Sequence, residues 1–178
     1  ITLDANCFHS CDNIKRVWID CATVSNSAFR DCTTLTEIVL TDRVTTIEVG
    51  AFGNCDALTE VVIPESVTSL SGFSNCDNLV SVTLSENLTE IGDSCFSGSK
   101  KLETIDLPDG LQTIGSNAFA SSGITKIELP KNVTINSNAF YNCGNIVHVN
   151  NLPQCVPDMS VAFYNCVNLQ SFDRFPTI

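Results

Sequence analysis

Apolar and polar positions along this chain fall in a frame that resets every 21 or 23 residues, marked by Phe8, Phe29, Phe52, Phe73, Phe96, Phe119, Phe140 and Phe163. A period this short has no room for a helical hairpin. Each unit therefore predicts one strand and one turn-rich return, stacked coil on coil as a solenoid. Counted from the Phe, the sixth position is apolar (Ile14, Leu35, Leu58, Leu79, Leu102, Ile146, Leu169), and so is the ninth (Val17, Ile38, Val61, Val82, Ile105, Val149, Phe172). The eleventh is apolar again at Ile19, Leu40, Ile63, Leu84 and Leu107, and Pro64 and Pro108 follow directly. Alternation that ends in Pro predicts a short strand stopped by the imino acid. A second apolar pair, such as Val44 with Ile47 or Leu111 with Ile114, lies on the return, and a small residue (Ala28, Ala51, Gly72, Ala118, Ala139, Ala162) precedes the next Phe. The Phe119 coil lacks one residue and meets the frame a step early, at Ile124, Ile127, Leu129 and Pro130. In the last two coils one residue more separates the strand from Pro153 and Pro176, which predicts a bulge.

The third position after Phe is Cys at Cys11, Cys32, Cys55, Cys76, Cys143 and Cys166, with Ser99 and Ser122 replacing it in the other two coils. Ala-Phe, Phe-x-x-Cys and Leu-Pro thus recur at fixed offsets, and this pattern resembles the BspA-like (treponemal-type) leucine-rich repeats over essentially the whole chain. The resemblance implies a mainly β fold, a right-handed leucine-rich-repeat solenoid with a curved parallel sheet and about eight coils. It also implies a secreted or cell-surface protein with adhesion as its usual role. The unbroken repeat, with no Gly/Ser or Pro-rich linker, predicts a single domain over 1–178. Opening at Ile1 inside a partial coil and ending soon after a strand, the sequence reads as a fragment of a longer protein.

Ten cysteines would suggest a disulfide framework in a secreted protein. The register favours a different account: six share one inward ladder position, where Cys serves as a small hydrophobe, and cross-coil disulfides stay open as the alternative. Cys7 and Cys95 occupy the small-residue slot before Phe, a core position. Cys21 and Cys155 lie off the ladders and are expected to be the reactive or pairing thiols. Cys7, His9 and Cys11 cluster like metal ligands, but both cysteines are explained by the ladders and no second pair completes four ligands. The only other histidine, His148, has no legible nucleophile partner, and no Gly-rich phosphate loop occurs. The expectation is a protein that is not an enzyme and uses no cofactor or metal.

A net charge of −11 argues against nucleic acid and anionic lipid as partners, and no apolar run is long enough to insert in a membrane. Between Val44 and Ser99 no Lys or Arg occurs. Asp42, Glu65, Glu86 and Asp109 share the offset thirteen after Phe and are expected to form an acidic turn column, either simply solvated or a strip for a cation or basic partner. Exposed positions of the strands carry Arg16, Glu37 and Glu60 eight after Phe, and Trp18, Val39 and Val62 ten after. Exposed aromatic and aliphatic groups anchor protein interfaces, so these six residues are the predicted partner-binding patch, unless a preceding coil or neighbouring domain covers Trp18. The function expected is extracellular protein binding, adhesion to host or matrix proteins above all. The alternative is a structural spacer that presents another domain. Two sequons, Asn87-Leu88-Thr89 and Asn132-Val133-Thr134, would matter only in a eukaryotic secretory route.

Overall fold

A computed structural model describes residues 3–152 and 159–174. Its strands, in chain order, are β1 (Arg16–Ile19), β2 (Thr23–Val24), β3 (Glu37–Leu40), β4 (Thr46–Ile47), β5 (Glu60–Val62), β6 (Ser69–Leu70), β7 (Ser81–Thr83), β8 (Glu90–Ile91), β9 (Thr113–Ile114), β10 (Lys126–Glu128), β11 (Thr134–Ile135), β12 (His148–Leu152) and β13 (Ser171–Arg174). One helical turn, α1 (Met159–Ala162), is the helix among the described residues. The fold is mainly β, as the period predicts, and eight Phe rungs delimit seven complete turns of solenoid. All pairing is parallel, because every coil enters its strand in the same direction as the last.

The return path is more regular than a turn-rich connection. Its two-residue strands form one unbroken six-stranded ladder, β2-β4-β6-β8-β9-β11, in strict register from Val24 through Ile47, Leu70, Ile91 and Ile114 to Ile135. The predicted strands after Phe are the broken ones. They form the pairs β1-β3 and β5-β7 and the triplet β10-β12-β13, and the stretch Thr104–Leu107, predicted as a strand, is none. A bulge does occur where the spacing before Pro lengthens: the β12–β13 register shifts between Val149 and Leu152, with Asn151 at φ 59°. Pro153, Phe175 and Pro176 lie outside the described residues.

The Phe column is the spine of the core. All eight rings stack in one file, with centroids 4.9 to 6.0 Å apart and planes within 20° of parallel. The backbone reinforces each rung, since each Phe N–H from Phe8 to Phe140 donates to the carbonyl preceding the next coil's Phe, at 2.7 to 2.9 Å. Two residues after each Phe the chain enters the left-handed region: Ser10, Asp31, Asn54, Asn75, Gly98, Ser121, Asn142 and Asn165 all have φ between 54° and 76°. Asn, Asp, Ser and Gly fill this column because a β-branched or bulky side chain is strained there. Their side chains continue from coil to coil, Asn165 Nδ2 donating to Asn142 Oδ1 at 2.7 Å and Asn142 Nδ2 to Ser121 Oγ at 3.1 Å.

The cysteine ladder has a polar purpose beyond its size. Sγ of Cys32, Cys55, Cys76, Cys143 and Cys166 each donates to the carbonyl of the preceding coil's Phe, at 2.9 to 3.3 Å. Ser99 makes the same bond to Phe73 O at 3.3 Å and so replaces the thiol in kind, whereas Ser122 lies 3.5 Å from Cys143 Sγ. The described cysteines are free thiols. Two expectations about them are reversed. Cys7 is exposed rather than in the core, because Phe8, the first rung, leaves the slot before it uncovered, whereas Cys95 in the same slot of an inner coil is fully buried. Cys21 is buried rather than reactive, folded into the turn after β1 with its Sγ 3.2 Å from Thr23 O. Cys155 lies outside the described residues. Burial pushes the ladder thiols up, Cys76 to about 12 and Cys166 to about 11, from an ordinary 9.0.

Truncating Phe73, buried between Phe52 and Phe96, is expected to destabilise the solenoid by about 3–5 kcal/mol. Phe163→Ala is expected to cost less, because Phe163 is only half-buried and stacks on Phe140 alone among the described rings. Denaturant midpoints of the two variants check the order. The thiols predict a pH effect of definite sign. Below pH 9 they are protonated in folded and unfolded chains alike; above it the unfolded thiols ionise while Cys76, shifted to about 12, does not. Stability therefore falls as pH rises from 9 toward 12, by about 1.4 kcal/mol per pH unit for each thiol held protonated. Urea midpoints at pH 8, 9 and 10 should fall less steeply in Cys76→Ser, which keeps a donor to Phe52 O but does not titrate; parallel slopes would refute the ladder's part in it.

Candidate functional site

Strand alternation puts one set of side chains into the core and turns the other outward, so the outer face of β1, β3, β5 and β7 is set by the residues eight and ten after Phe. On β1 and β3 the register pairs Arg16 with Glu37 and Trp18 with Val39. Arg16 Nη2 meets Glu37 Oε1 at 3.0 Å, both side chains more than half exposed, an arrangement that orders the surface but contributes at most about 1 kcal/mol. Trp18 stands 70% exposed and Val39 is half-buried beside it. On β5, Glu60 faces Ser81 and Val62, 64% exposed, faces Thr83. No ladder hydrogen bond joins β3 to β5. The six predicted residues thus fall into two groups, Arg16, Trp18, Glu37 and Val39 on one strand pair and Glu60 and Val62 on the next, on neighbouring coils across an unpaired seam.

A wider opening follows. Among the described residues, no backbone hydrogen bond is made by Thr104, Ile105, Asp106 or Leu107, on either side. The shortened Phe119 coil accounts for part of this. Its Gly123 N–H donates to Ser99 O at 3.1 Å, where a Cβ would collide with the Lys100 carbonyl, and its Thr125 N–H donates to Glu103 O at 3.0 Å. The two coils are drawn together up to Glu103 and part beyond it.

The acidic turn residues are not four equivalent free carboxylates. Glu65 Oε2 accepts the Glu86 N–H at 3.0 Å and lies 3.4 Å from Asn87 Nδ2, so it caps the next coil's turn. Asp42, Glu86 and Asp109 are exposed. A carboxylate at a different offset, Asp20, makes the corresponding bonds two coils earlier, to Thr41 Oγ1 at 2.8 Å and Arg43 at 3.3 Å. Glu48 and Asp93 likewise accept the N–H of Asn26 and Ser116 in adjacent coils, at 2.8 and 2.7 Å. Much of the negative charge is therefore structural.

Both histidines sit between a serine hydroxyl and an aspartate, a pairing the sequence did not disclose. His9 Nδ1 is 2.9 Å from Ser10 Oγ and its Nε2 3.2 Å from Asp31; His148 Nδ1 is 2.6 Å from Ser171 Oγ and its Nε2 3.3 Å from Asp173. The pattern has the order of a hydrolytic triad but not its setting. Ser10 N–H already donates to Arg30 O, and Asp173 is 74% exposed, whereas such chemistry needs free oxyanion donors shielded from water. The His9–Asp31 pair and the bonds of His148 to Ser171 and Asp173 tie one coil to the next. Sequence reasoning also passed over the stacked pair Tyr141 and Tyr164, ring centroids 5.8 Å apart, and exposed Val80 and Val147. The recurrence of Tyr directly after Phe was the available signal.

The sequence profile described as "BspA type Leucine rich repeat region" matches in six copies over residues 1–72 and 71–177. The chain belongs to the BspA-type leucine-rich-repeat family. Among curated proteins nothing matches significantly. Solved structures similar to this BspA-type repeat include a leucine-rich cell surface protein from Faecalibacterium prausnitzii (20% identity, TM-score 0.64), covering 97% of this chain and 62% of that one. The T. pallidum leucine-rich-repeat protein (25% identity, TM-score 0.66) covers 96% of this chain and 72% of that one. A leucine-rich-repeat protein from Bacteroides ovatus (21% identity, TM-score 0.53) covers 97% and 58%. The BspA-type chain thus spans under two thirds of two of these proteins. The repeats of this family form protein-interaction modules, and among the described residues no helix is long and apolar enough to cross a membrane.

Proposed function

We propose that this BspA-type solenoid is a non-enzymatic, extracellular protein-binding unit that serves cell-surface adhesion to host or matrix proteins, and that its partner docks on the solvent-exposed side of strands β1, β3 and β5. The observation that carries the site is the exposure of Trp18 and Val62 at an offset where core packing asks for nothing, since polar Thr83, Asp106 and Asn150 fill the same offset elsewhere. The extracellular setting is supported by the likeness to a protein described as a leucine-rich cell surface protein. The chemistry of the face selects the partner. Arg16 neutralises Glu37, while Glu60 has no cation paired with it among the described residues, so the complementary surface carries an apolar anchor for Trp18 and Val62 and a basic group for Glu60.

Anchors of this type commonly cost 2 kcal/mol or more when truncated, roughly a thirtyfold loss in affinity. A screen of the chain against extracellular-matrix and host surface proteins is expected to yield a partner whose affinity falls by that factor in Trp18→Ala and in Val62→Asp. Thermal unfolding should be unchanged in both, because neither side chain is in the core. Parental binding in both variants, with loss on reversing Asp42, Glu65 and Glu86 to Lys, would move the site to the acidic turns; no binder at all would leave a spacer.

A further inference from the structure

The unpaired stretch Thr104–Leu107 is flanked by three adjoining clefts. One of about 290 Å³ lies toward β7 and a second of about 200 Å³ below it, against Leu84 and Pro108. The third, of about 240 Å³, lies toward β10 against Leu129 and Pro130. Asp106 lines all three, so they form one groove across the face of the solenoid. Small-molecule sites occupy about 300–1,000 Å³ in a single cavity. Each of these clefts is smaller than that and suits one side chain.

The lining is divided by chemistry. Ile105, Leu107, Leu129 and Pro130 supply an apolar floor, and Glu86, Asp106, Asp109 and Glu128 an acidic rim. Lys131 is the one basic residue among those lining the three clefts. A long side chain with an aliphatic stem and a cationic head matches both parts, and arginine adds bidentate geometry toward carboxylates. The backbone points the same way. With no main-chain partner of their own, the N–H and C=O groups of Thr104–Leu107 are left to bond an extended segment laid across them, while the clefts beside them receive its alternate side chains.

We propose that this groove is a second docking site, distinct from the Trp18 face, and that it takes an extended, arginine-rich segment of a protein partner, with Asp106 central and Asp109 and Glu128 receiving the guanidinium heads. The probe is a blocked heptapeptide alternating arginine and valine, with its glutamate–valine counterpart as control, titrated into the chain at about 0.15 M salt, where surface charges more than roughly 8 Å apart are largely screened. The arginine peptide should bind and the glutamate peptide should not, with amide chemical-shift changes centred on Thr104–Leu107. Asp106→Asn/Asp109→Asn/Glu128→Gln should weaken binding at least tenfold. Asp4→Asn/Asp56→Asn/Glu90→Gln, which removes three exposed carboxylates elsewhere, should change it less than twofold, and Trp18→Ala should bind as the parent does. All of these side chains are exposed, so the variants are expected to fold, and unchanged thermal unfolding confirms it. Absence of binding by the arginine peptide, equal weakening in the two triple variants, or shifts centred away from Thr104–Leu107 would overturn the proposal. Loss of binding in Trp18→Ala alone would return the peptide to the first face.

Discussion

Every coil of this solenoid finds its main-chain partners in the coils before and after it, and that dependence governs which residues each position accepts. The Phe N–H bonds run from one coil to the next without a gap, and the rings above and below close the hydrophobic space that one coil cannot enclose alone. Once the rung is fixed, the left-handed residue two positions on, the thiol or hydroxyl three positions on, and the apolar Leu or Ile at six have one arrangement each. The repeat is thus a set of columns, each with its own chemical rule.

The columns are not equally closed. On the return side six short strands hold register throughout. On the opposite side pairing lapses between β3 and β5 and around Thr104–Leu107. Closed ladders have no backbone left to offer, and both proposed docking sites fall on the interrupted face, where Trp18 and Val62 are exposed and where the clefts lie. Scaffold and proposed binding surface are separated by whether the rungs pair, with the same repeat supplying both.

Most of the fold was legible because the constraint is periodic. Phe spacing gave the stack and the number of rungs, the alternation over Val61 to Ile63 gave a strand, and the extra residue before Pro153 gave a bulge in β12. Directions of bonds were less legible. Cys76 and Ser99 look like small core residues until their donors are seen aimed at the carbonyls of Phe52 and Phe73, which no hydrophobic pattern encodes. The strand at Thr104–Leu107 was predicted from its own good alternation, but pairing depends on the neighbours, and Gly123 with the missing residue of its coil lies outside that window. Alternation placed Trp18 and Val62 on the solvent side, and both are exposed, whereas the seam between their strands depends on a pairing that no single coil specifies. Cys7 and Cys21 were exchanged for a related reason, since column position ignores whether a rung is covered.

The central claim, that the solenoid is locked along its return ladder and open on its strand face around Thr104–Leu107, is tested most directly by residue-resolved hydrogen exchange of the native chain. The account predicts slow exchange for the ladder amides of Ile47, Leu70, Ile91 and Ile114 and for the Phe52 to Phe119 rungs, with fast exchange at Ile105, Asp106 and Leu107. Exchange at Ile105 to Leu107 as slow as at Ile114 would show those amides paired, and the open face would not exist.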